Sequence, residues 1–276
     1  MIITLGDSQL DLDQKPAVMS IINVTPDSFY AQSRTFDTQS VSESIEVAIA
    51  QGADILDIGG YSSRPGADDV GESEEVRRLS LGMETARAAG DILVSVDTFR
   101  PSVVEQIYER FGAFIVNDIT GGSEQMFDVV AKYSLPYICM HSKGTPQTMQ
   151  SMTHYNDLEG EVESFFGQRI KTMQGKGIEQ IILDLGFGFA KTLEQNYQLF
   201  ASMERFNKLN CPMLVGISRK SMIYKPLGTE PEHSLTGTTI LNWTALSRGA
   251  KILRVHDTAQ AVQTISMYSQ FKDYLI

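Results

Sequence analysis

The chain has 276 residues, 42% of them hydrophobic, which is enough to fill a sizeable core and excludes general disorder. Its 23 basic and 34 acidic residues give a net charge of −11, which is opposite to the charge pattern of a nucleic-acid-binding protein. No apolar run approaches the roughly 20 residues of a membrane span, and the start MIITLGDSQLDLD does not resemble a signal peptide. We therefore expect a cytoplasmic protein with neither a nucleic-acid nor a membrane partner.

Short runs rich in β-branched and large apolar residues recur along the chain, and each predicts a strand. There are eight of them, at 17–22, 54–59, 92–96, 113–117, 136–140, 180–185, 212–217 and 251–255. They lack strict polar alternation, which is typical of parallel strands that are covered on both faces. Between them, apolar residues spaced by three or four predict helices, and a Gly-Ala pair precedes three of the strands, as a glycine at a helix end would.

This alternation of strands and helices predicts a (β/α)₈ barrel that forms a single domain over residues 1–276. Eight units of about 34 residues each agree with the usual length of such a barrel. An open doubly wound sheet is the alternative, but it favours a glycine-rich loop after the first strand, and IINVTPDSF contains no glycine. Residues 1–14 are predicted to form a β-hairpin that caps the N-terminal end of the barrel.

Polar side chains stand where each predicted strand ends, and the C-terminal ends of all barrel strands converge on one mouth. The set comprises Asn23, Ser62, Ser63, Arg64, Asp97, Asn117, Asp118, His141, Asp184, Ser218, Arg219, Lys220, Arg254 and His256. Its carboxylates, amide and lysine suit a heterocycle with donors and acceptors, while its arginines, histidine and hydroxyls suit an anion. The segments 24–37 and 60–71 are predicted to be mobile catalytic loops over this mouth.

The cysteines and histidines outside this set do not point to a metal or redox site. Cys139 and Cys211 lie in apolar runs, where a buried thiol is expected rather than a disulfide. There is no C-x-x-C pair, and the histidines lack the spacing of zinc ligands.

Eight motifs occur in order along the chain. They are INVTPDSF (22–29), GGYSSRPGA (59–67), SVDTFRP (95–101), VNDITGG (116–122), MHSKGTPQTMQ (140–150), LDLGFGFAKT (183–192), GISRKS (216–221) and RVHD (254–257). Together they resemble the motifs of the dihydropteroate synthase family. The resemblance implies a barrel fold and a transferase that condenses 6-hydroxymethyl-7,8-dihydropterin diphosphate with p-aminobenzoate. The implied products are 7,8-dihydropteroate and diphosphate, formed by an SN1-like, Mg²⁺-assisted reaction.

The resemblance also implies roles for residues at matching positions. The implied pterin-binding residues are Asp97, Asn117, Met140, Asp184 and Lys220, of which Asp97 and Lys220 are implied to be catalytic. The implied diphosphate site contains Asn23, Ser63, Arg254 and His256, with Asn23 also a ligand of Mg²⁺. The implied p-aminobenzoate pocket contains Phe29, Ser63, Arg64, Pro65, Phe189, Ser218 and Lys220. Sulfonamide-type inhibitors and a homodimer formed through barrel helices are implied as well.

Three positions depart from the commonest family pattern. Tyr61 stands in place of a glutamate, Ser63 in place of a threonine, and Leu185 in place of a proline. Two alternatives therefore stay open, a pterin-dependent methyltransferase and a non-catalytic pterin-binding homologue. Arg254 and His256 argue against both, because neither alternative needs a diphosphate site.

Overall fold

A computed structural model describes residues 1–24, 38–61, 70–144, 148 and 151–274. Two short strands, β1 (Ile2–Leu5) and β2 (Ser8–Asp11), pair in an antiparallel hairpin. Eight further strands form a closed parallel barrel in the order β10-β3-β4-β5-β6-β7-β8-β9. They are β3 (Ala17–Asn23), β4 (Ile55–Gly59), β5 (Leu93–Asp97), β6 (Ile115–Asp118), β7 (Tyr137–Met140), β8 (Ile181–Asp184), β9 (Met213–Val215) and β10 (Ala250–Val255). The predicted (β/α)₈ barrel with an N-terminal hairpin is confirmed.

Helices follow the barrel strands and lie around the outside of the barrel. They are α1 (Thr38–Ala50), α2 (Glu72–Ala89), α3 (Pro101–Phe111), α4 (Glu124–Lys132), α5 (Leu158–Gly175), α6 (Leu193–Ala201), α7 (Ser221–Tyr224), α8 (Leu235–Ser247) and α9 (Thr258–Phe271). Short 3₁₀ helices span Met203–Leu209, Pro231–His233 and Lys272–Tyr274. No helix among the described residues is long and apolar enough to cross a membrane.

Glycines end several helices just before a strand, as the sequence indicated. Gly52, Gly112 and Gly249 have φ angles of 90°, 76° and 98°, a region that side chains with a Cβ rarely adopt. At Gly249 a Cβ would also lie 2.5 Å from Oδ1 of Asn207, so this exposed side chain would have to move to admit a larger residue. These positions therefore require glycine at the turns that lead into the barrel strands.

The core has two parts because neighbouring side chains of a strand point to opposite faces. The outward side chains pack under the helices in one large cluster, which contains Leu56, Ile58 and Val96. Inward side chains of the lower barrel form what we call the floor layer, which consists of Met19, Ile55, Leu93, Ile115, Ile138, Ile182, Leu214 and Ile252. Ile3 and Leu12 of the hairpin region pack against this layer and close the N-terminal end of the barrel.

Candidate active site

The inward positions two residues beyond the floor layer form a second layer, which faces the C-terminal opening. We call it the mouth layer, and it consists of Ile21, Asp57, Ser95, Asn117, Met140, Asp184, Gly216 and Arg254. Side chains on one face of a strand recur every second residue, so the two layers lie one above the other on the same eight strands. Five of the eight inward positions, those of Asp57, Ser95, Asn117, Asp184 and Arg254, therefore change from apolar to polar within a single step of two residues.

Arg254 joins three strands at the centre of the mouth layer. Its Nε donates to Oδ2 of Asp57 at 2.6 Å, and its Nη2 donates to Oδ2 of Asp97 at 2.7 Å. The side-chain amide of Asn117 donates to both oxygens of Asp57 at 3.2 and 3.3 Å. These contacts bring the predicted residues Asp97, Asn117 and Arg254 together around Asp57, which the sequence analysis did not single out.

Asp97 lies at the end of β5, beside Asn117 in the strand register. Burial raises the pKa of Asp97 to about 7, although the Arg254 guanidinium opposes the shift. The nearby carboxylates of Asp57, Glu75 and Asp118 add to the rise. Asp97 is thus a carboxyl group that changes protonation close to neutral pH.

Asp184 and Lys220 face each other across the turn that follows β8. Oδ1 of Asp184 accepts a hydrogen bond from the Gly186 amide at 2.8 Å, and burial raises the pKa of this carboxyl. Nζ of Lys220 donates to the Phe187 carbonyl at 2.6 Å and lies 4.5 Å from the centroid of the Phe189 ring. Burial lowers the pKa of Lys220 to about 8, with the Asp184 charge opposing it. The two charges therefore influence each other, although the described structure shows no direct ion pair between them.

Lys191 holds this turn from behind and was not predicted from the sequence. Its buried Nζ donates to the carbonyls of Gly186 and Phe189 at 3.0 and 3.1 Å and lies 3.1 Å from Nδ1 of His141. Burial lowers the pKa of Lys191 to about 7. The turn thereby fixes where the Phe187 carbonyl and the Phe189 ring meet Lys220. His141, one of the polar residues predicted at the strand ends, is buried and packs edge-on against Phe165.

Ser218 and His256 form a further polar pair at the end of β9 and β10. Oγ of Ser218 lies 3.1 Å from Nδ1 of His256 and also accepts a hydrogen bond from its backbone amide at 3.3 Å. Next to them, Arg219 forms a two-pronged ion pair with Asp257, with distances of 3.2 and 2.5 Å. Ser218 thus lies beside the predicted diphosphate residue His256, although it was assigned to the p-aminobenzoate pocket. The two predicted pockets share this border.

Asn23 and Met140 complete the part of the predicted site that the structure describes. Asn23 ends β3 opposite Gly59, and a Cβ on Gly59 would lie 3.9 Å from the Asn23 Oδ1, so the glycine leaves the amide oxygen open. Met140 is buried at the end of β7 against the turn at Gly186. Asn23 is exposed, which makes it accessible to a ligand in the mouth.

Four predicted residues, Phe29, Ser63, Arg64 and Pro65, lie outside the described residues, as do most of the predicted loops 24–37 and 60–71. The described ends of the second loop are firmly attached. The Gly60 carbonyl accepts a hydrogen bond from Arg78 at 3.0 Å, and the Tyr61 ring meets the Phe99 ring edge-on at 5.5 Å. The Arg100 guanidinium lies 5.6 Å from the Tyr61 ring centroid. Tyr61, which replaces the usual glutamate, therefore joins an aromatic and cationic cluster on the rim.

Comparison with known proteins agrees with this geometry. The model of the pterin binding enzyme family matches residues 19–256. The dihydropteroate synthase of Escherichia coli K12 is 39% identical over 261 residues, which cover 94% of this chain and 92% of that protein. The chain belongs to the dihydropteroate synthase family. It is a transferase with the activity of that family, and neither alternative from the sequence analysis is favoured.

Solved structures of dihydropteroate synthases share the whole fold. The Yersinia pestis enzyme, solved with a sulfonamide drug complex, has a TM-score of 0.91 and 35% identity and covers 99% of this chain and 100% of its own. The Xanthomonas albilineans enzyme in complex with 7,8-dihydropteroate has a TM-score of 0.87 and 33% identity, with 99% of each chain covered. Tyr61, Ser63 and Leu185 are thus departures within a family member rather than signs of another fold.

Proposed function

We propose that the mouth layer performs the dihydropteroate synthase reaction with the residue roles given below. The observation that carries the proposal is the cluster of Asp57, Asp97, Asn117 and Arg254, with Asp184 and Lys220 across the same opening. A closed apolar floor excludes water from below, and the polar layer above it offers donors and acceptors to a flat heterocycle.

The pterin ring binds between these side chains through complementary hydrogen bonds. Asp184 accepts from the 2-amino group and N3–H, two adjacent donors that match one carboxylate. Lys220 donates to O4 and N5, and Asn117 contacts the remaining ring nitrogens. Met140 covers one face of the ring with a polarizable side chain. A pterin therefore competes with protein contacts such as the hydrogen bond from Lys220 to the Phe187 carbonyl.

Diphosphate binds to Asn23, Arg254 and His256 at the rim, and to Ser63, which lies outside the described residues. The whole protein is acidic, so the anion depends on local positive charge, and Arg254 supplies a fixed one. Arg254 is bound to Asp57 and Asp97 in the described structure, so diphosphate binding has to compete for at least one of these contacts. Its competition with Asp97 frees that carboxylate for the pterin.

Mg²⁺ fits this rim as a partner of the diphosphate. Asn23 offers an accessible amide oxygen, and within the described part of the chain no three His, Cys, Asp or Glu side chains are grouped to hold a metal ion. Magnesium usually keeps several waters and binds through one or two protein oxygens together with substrate phosphates. Asn23 is the residue that would hold it, and the ion would neutralise charge on the leaving diphosphate.

The reaction breaks the bond between the pterin methylene carbon and the diphosphate oxygen, and the bonding electrons leave with the oxygen. Asp97 stabilises the positive charge that spreads over the pterin ring. The amine nitrogen of p-aminobenzoate then forms the new bond to the methylene carbon and loses one proton to water. The pocket for this second substrate comprises Phe29, Ser63, Arg64, Pro65, Phe189, Ser218 and Lys220. Sulfonamides bind in the same pocket because they resemble p-aminobenzoate.

A homodimer forms through the face made by α8 and α9. Charged residues make up 21% of the chain, yet neither helix contains Asp, Glu, Lys or Arg. Ile240, Met267 and Phe271 are half or more exposed on these helices, and Trp243 packs edge-on against Tyr268. Depletion of charge and enrichment in aromatic residues are typical of interface cores.

The cytoplasm is the compartment that suits the protein's free cysteines, Cys139 and Cys211.

The dimer is tested by light scattering coupled to size-exclusion chromatography. Met267→Lys places a charge on the proposed interface and is expected to give a monomer. Ile2→Lys is the matched control, because it adds the same charge to an exposed apolar residue of the hairpin. Equal masses for the wild type and Met267→Lys would exclude this face.

The residue roles and the reaction are tested together by incubating the wild type with both substrates and Mg²⁺. Mass spectrometry is expected to detect 7,8-dihydropteroate, with one diphosphate released for each molecule formed. Asp184→Asn is expected to give no product under the same conditions. Product formation that is unaffected by Asp184→Asn would remove the mouth layer from the reaction, and the absence of any product from the wild type would contradict the proposed reaction.

A further inference from the structure

Asp57 is the most deeply buried carboxylate of the mouth layer, and no substrate contact has been assigned to it above. It has 0% exposure, whereas the Asp97 side chain is 20% exposed. In the strand register Asp57 lies opposite Ser95, two residues below the level of Gly59 and Asp97. Asp57 therefore lies beneath the ligand-facing residues rather than among them.

The contacts of Asp57 connect two different parts of the proposed site. One contact is to Arg254, on the diphosphate side, and the other is to Asn117, on the pterin side. A buried carboxylate without hydrogen-bond partners has a high free-energy cost. The side chains of Arg254 and Asn117 are therefore held towards Asp57. A single buried group thus determines the orientation of two side chains that come from strands on opposite sides of β4.

Ser95 is a small residue on β5, the strand that separates Asn117 from Asp57. Its buried hydroxyl has no hydrogen-bond partner among the described residues. A larger side chain at this position would narrow the space through which Asn117 reaches Asp57.

Arg254 has one inner and one outer attachment. Its Nε faces the fully buried Asp57, and its Nη2 faces the partly exposed Asp97. A ligand that enters from the mouth reaches the outer contact first. The outer contact is therefore the exchangeable one, and the inner contact keeps the guanidinium plane in place.

We propose that Asp57 is a positioning residue that fixes Arg254 and Asn117, and that Arg254 keeps its Asp57 contact while it exchanges its Asp97 contact for the diphosphate substrate. The proposal rests on the residue roles proposed above. It adds a group that does not touch substrate but sets the geometry of two groups that do.

Double-mutant cycles on ligand binding test this directly. We expect Asp57→Asn to weaken binding of the pterin diphosphate about 10- to 100-fold, the range for losing a charged hydrogen bond. In an Arg254→Ala background the same change is expected to weaken binding by a smaller factor, since one of the two side chains that Asp57 positions is already gone. A second cycle with Asn117→Ala uses a hydroxymethylpterin that lacks the diphosphate. If Asp57→Asn weakens ligand binding by the same factor with and without the second substitution of each cycle, Asp57 supports only the fold.

Thr258→Val is the matched control for loss of a buried hydrogen bond. It removes the 2.6 Å contact between the hydroxyls of Thr258 and Ser20, both of which are buried and neither of which is assigned to the site. We expect lower thermal stability with unchanged ligand binding. Asp57→Glu restores the negative charge and is expected to bind the pterin diphosphate more tightly than Asp57→Asn. Equal binding by these two variants would contradict the proposal.

If Asp57→Asn does not fold, a measurement on the wild type still tests the proposal. The Arg254 Nε–H resonance, assigned by its loss in Arg254→Lys, is expected to be protected from solvent exchange with and without the pterin diphosphate. Loss of protection on binding would overturn the retained inner contact. These binding measurements do not require turnover, so a wild type that binds the ligand but forms no product would reject the proposed reaction and leave the Asp57 test standing.

Discussion

The floor layer and the mouth layer are built from the same eight strands but have opposite chemistry. Ile182 and Asp184 illustrate the difference, because they occupy neighbouring inward positions on β8. Burial of Ile182 stabilises the fold, whereas burial of Asp184 raises its pKa and makes its charge costly. The barrel therefore keeps stability at one end and accepts an electrostatic cost at the other, where ligands bind.

The sharpest test of this division is Asp184→Asn, for which the largest effect is expected. One acceptor of a buried two-pronged contact becomes a donor that faces a donor, so pterin binding is expected to weaken about 100- to 1000-fold. Thermal stability should not fall, because the change removes a buried charge and keeps an acceptor for the Gly186 amide. Calorimetry with a pterin and thermal unfolding measure the two effects. A large loss of stability with unchanged binding would reverse the assignment of the two layers.

Ile182→Ala is the matched change in the floor layer. It removes buried methyl and methylene groups and is expected to lower the free energy of unfolding by about 3 kcal/mol. Pterin affinity should change less than about threefold, because the mouth layer lies above the cavity. Urea unfolding and calorimetry on the same preparation measure both quantities. A loss of affinity as large as that of Asp184→Asn would show that the layers are not separable.

The pH dependence of kcat/KM should be determined by two titrating groups that lie next to the mouth layer, Asp97 and Lys220. Asp97 acts as a carboxylate, so the rate is expected to rise as pH passes the Asp97 pKa of about 7. Lys220 acts as an ammonium, so the rate should fall above the Lys220 pKa of about 8. About a tenfold loss of kcat/KM is expected one pH unit below the Asp97 pKa and one pH unit above the Lys220 pKa.

Two variants distinguish these two pH-dependent changes in kcat/KM from effects on general stability. Lys220→Arg is expected to abolish the fall at high pH, because a guanidinium stays charged. Ile182→Ala should leave both limbs in place, since no titrating group changes. A wild-type profile that is flat from pH 6 to pH 9 would contradict the roles proposed for Asp97 and Lys220.

The smallest effect is expected at the rim, where Tyr61 contacts Phe99 and Arg100. Tyr61→Leu removes an edge-on aromatic contact and a cation–π contact, and is expected to raise the KM for p-aminobenzoate about threefold. The KM for the pterin diphosphate should not change. Tyr108→Leu is the control, because it breaks the stacked pair with Tyr133 on the outer helices. Equal effects of the two variants on p-aminobenzoate would show that the Tyr61 cluster acts only through stability.

The sequence by itself determined the architecture and the positions of most site residues. Eight apolar runs separated by helical periodicity are local patterns. They predict the barrel strands correctly because each strand is buried on both faces. The strand ends differ more: the predicted run 212–217 contains only the three-residue strand Met213–Val215. Asp97, Asn117, Asp184 and Arg254 were recognisable because polar residues at the ends of parallel strands meet at one opening.

Only the tertiary structure decided which of these groups pair with one another. Asp57 lies inside the apolar run DILDIG. Side chains on one face of a strand recur every second residue, and only the spacing of two residues between Asp57 and Gly59 indicated that Asp57 faces inward. Its partners Asn117 and Arg254 are 60 and 197 residues away, as a closed barrel permits. Lys191 was equally hidden, because its partners are backbone carbonyls that any sequence supplies. Local patterns follow from chain geometry and burial, whereas the pairing of charges depends on distances that exist only once the barrel has closed.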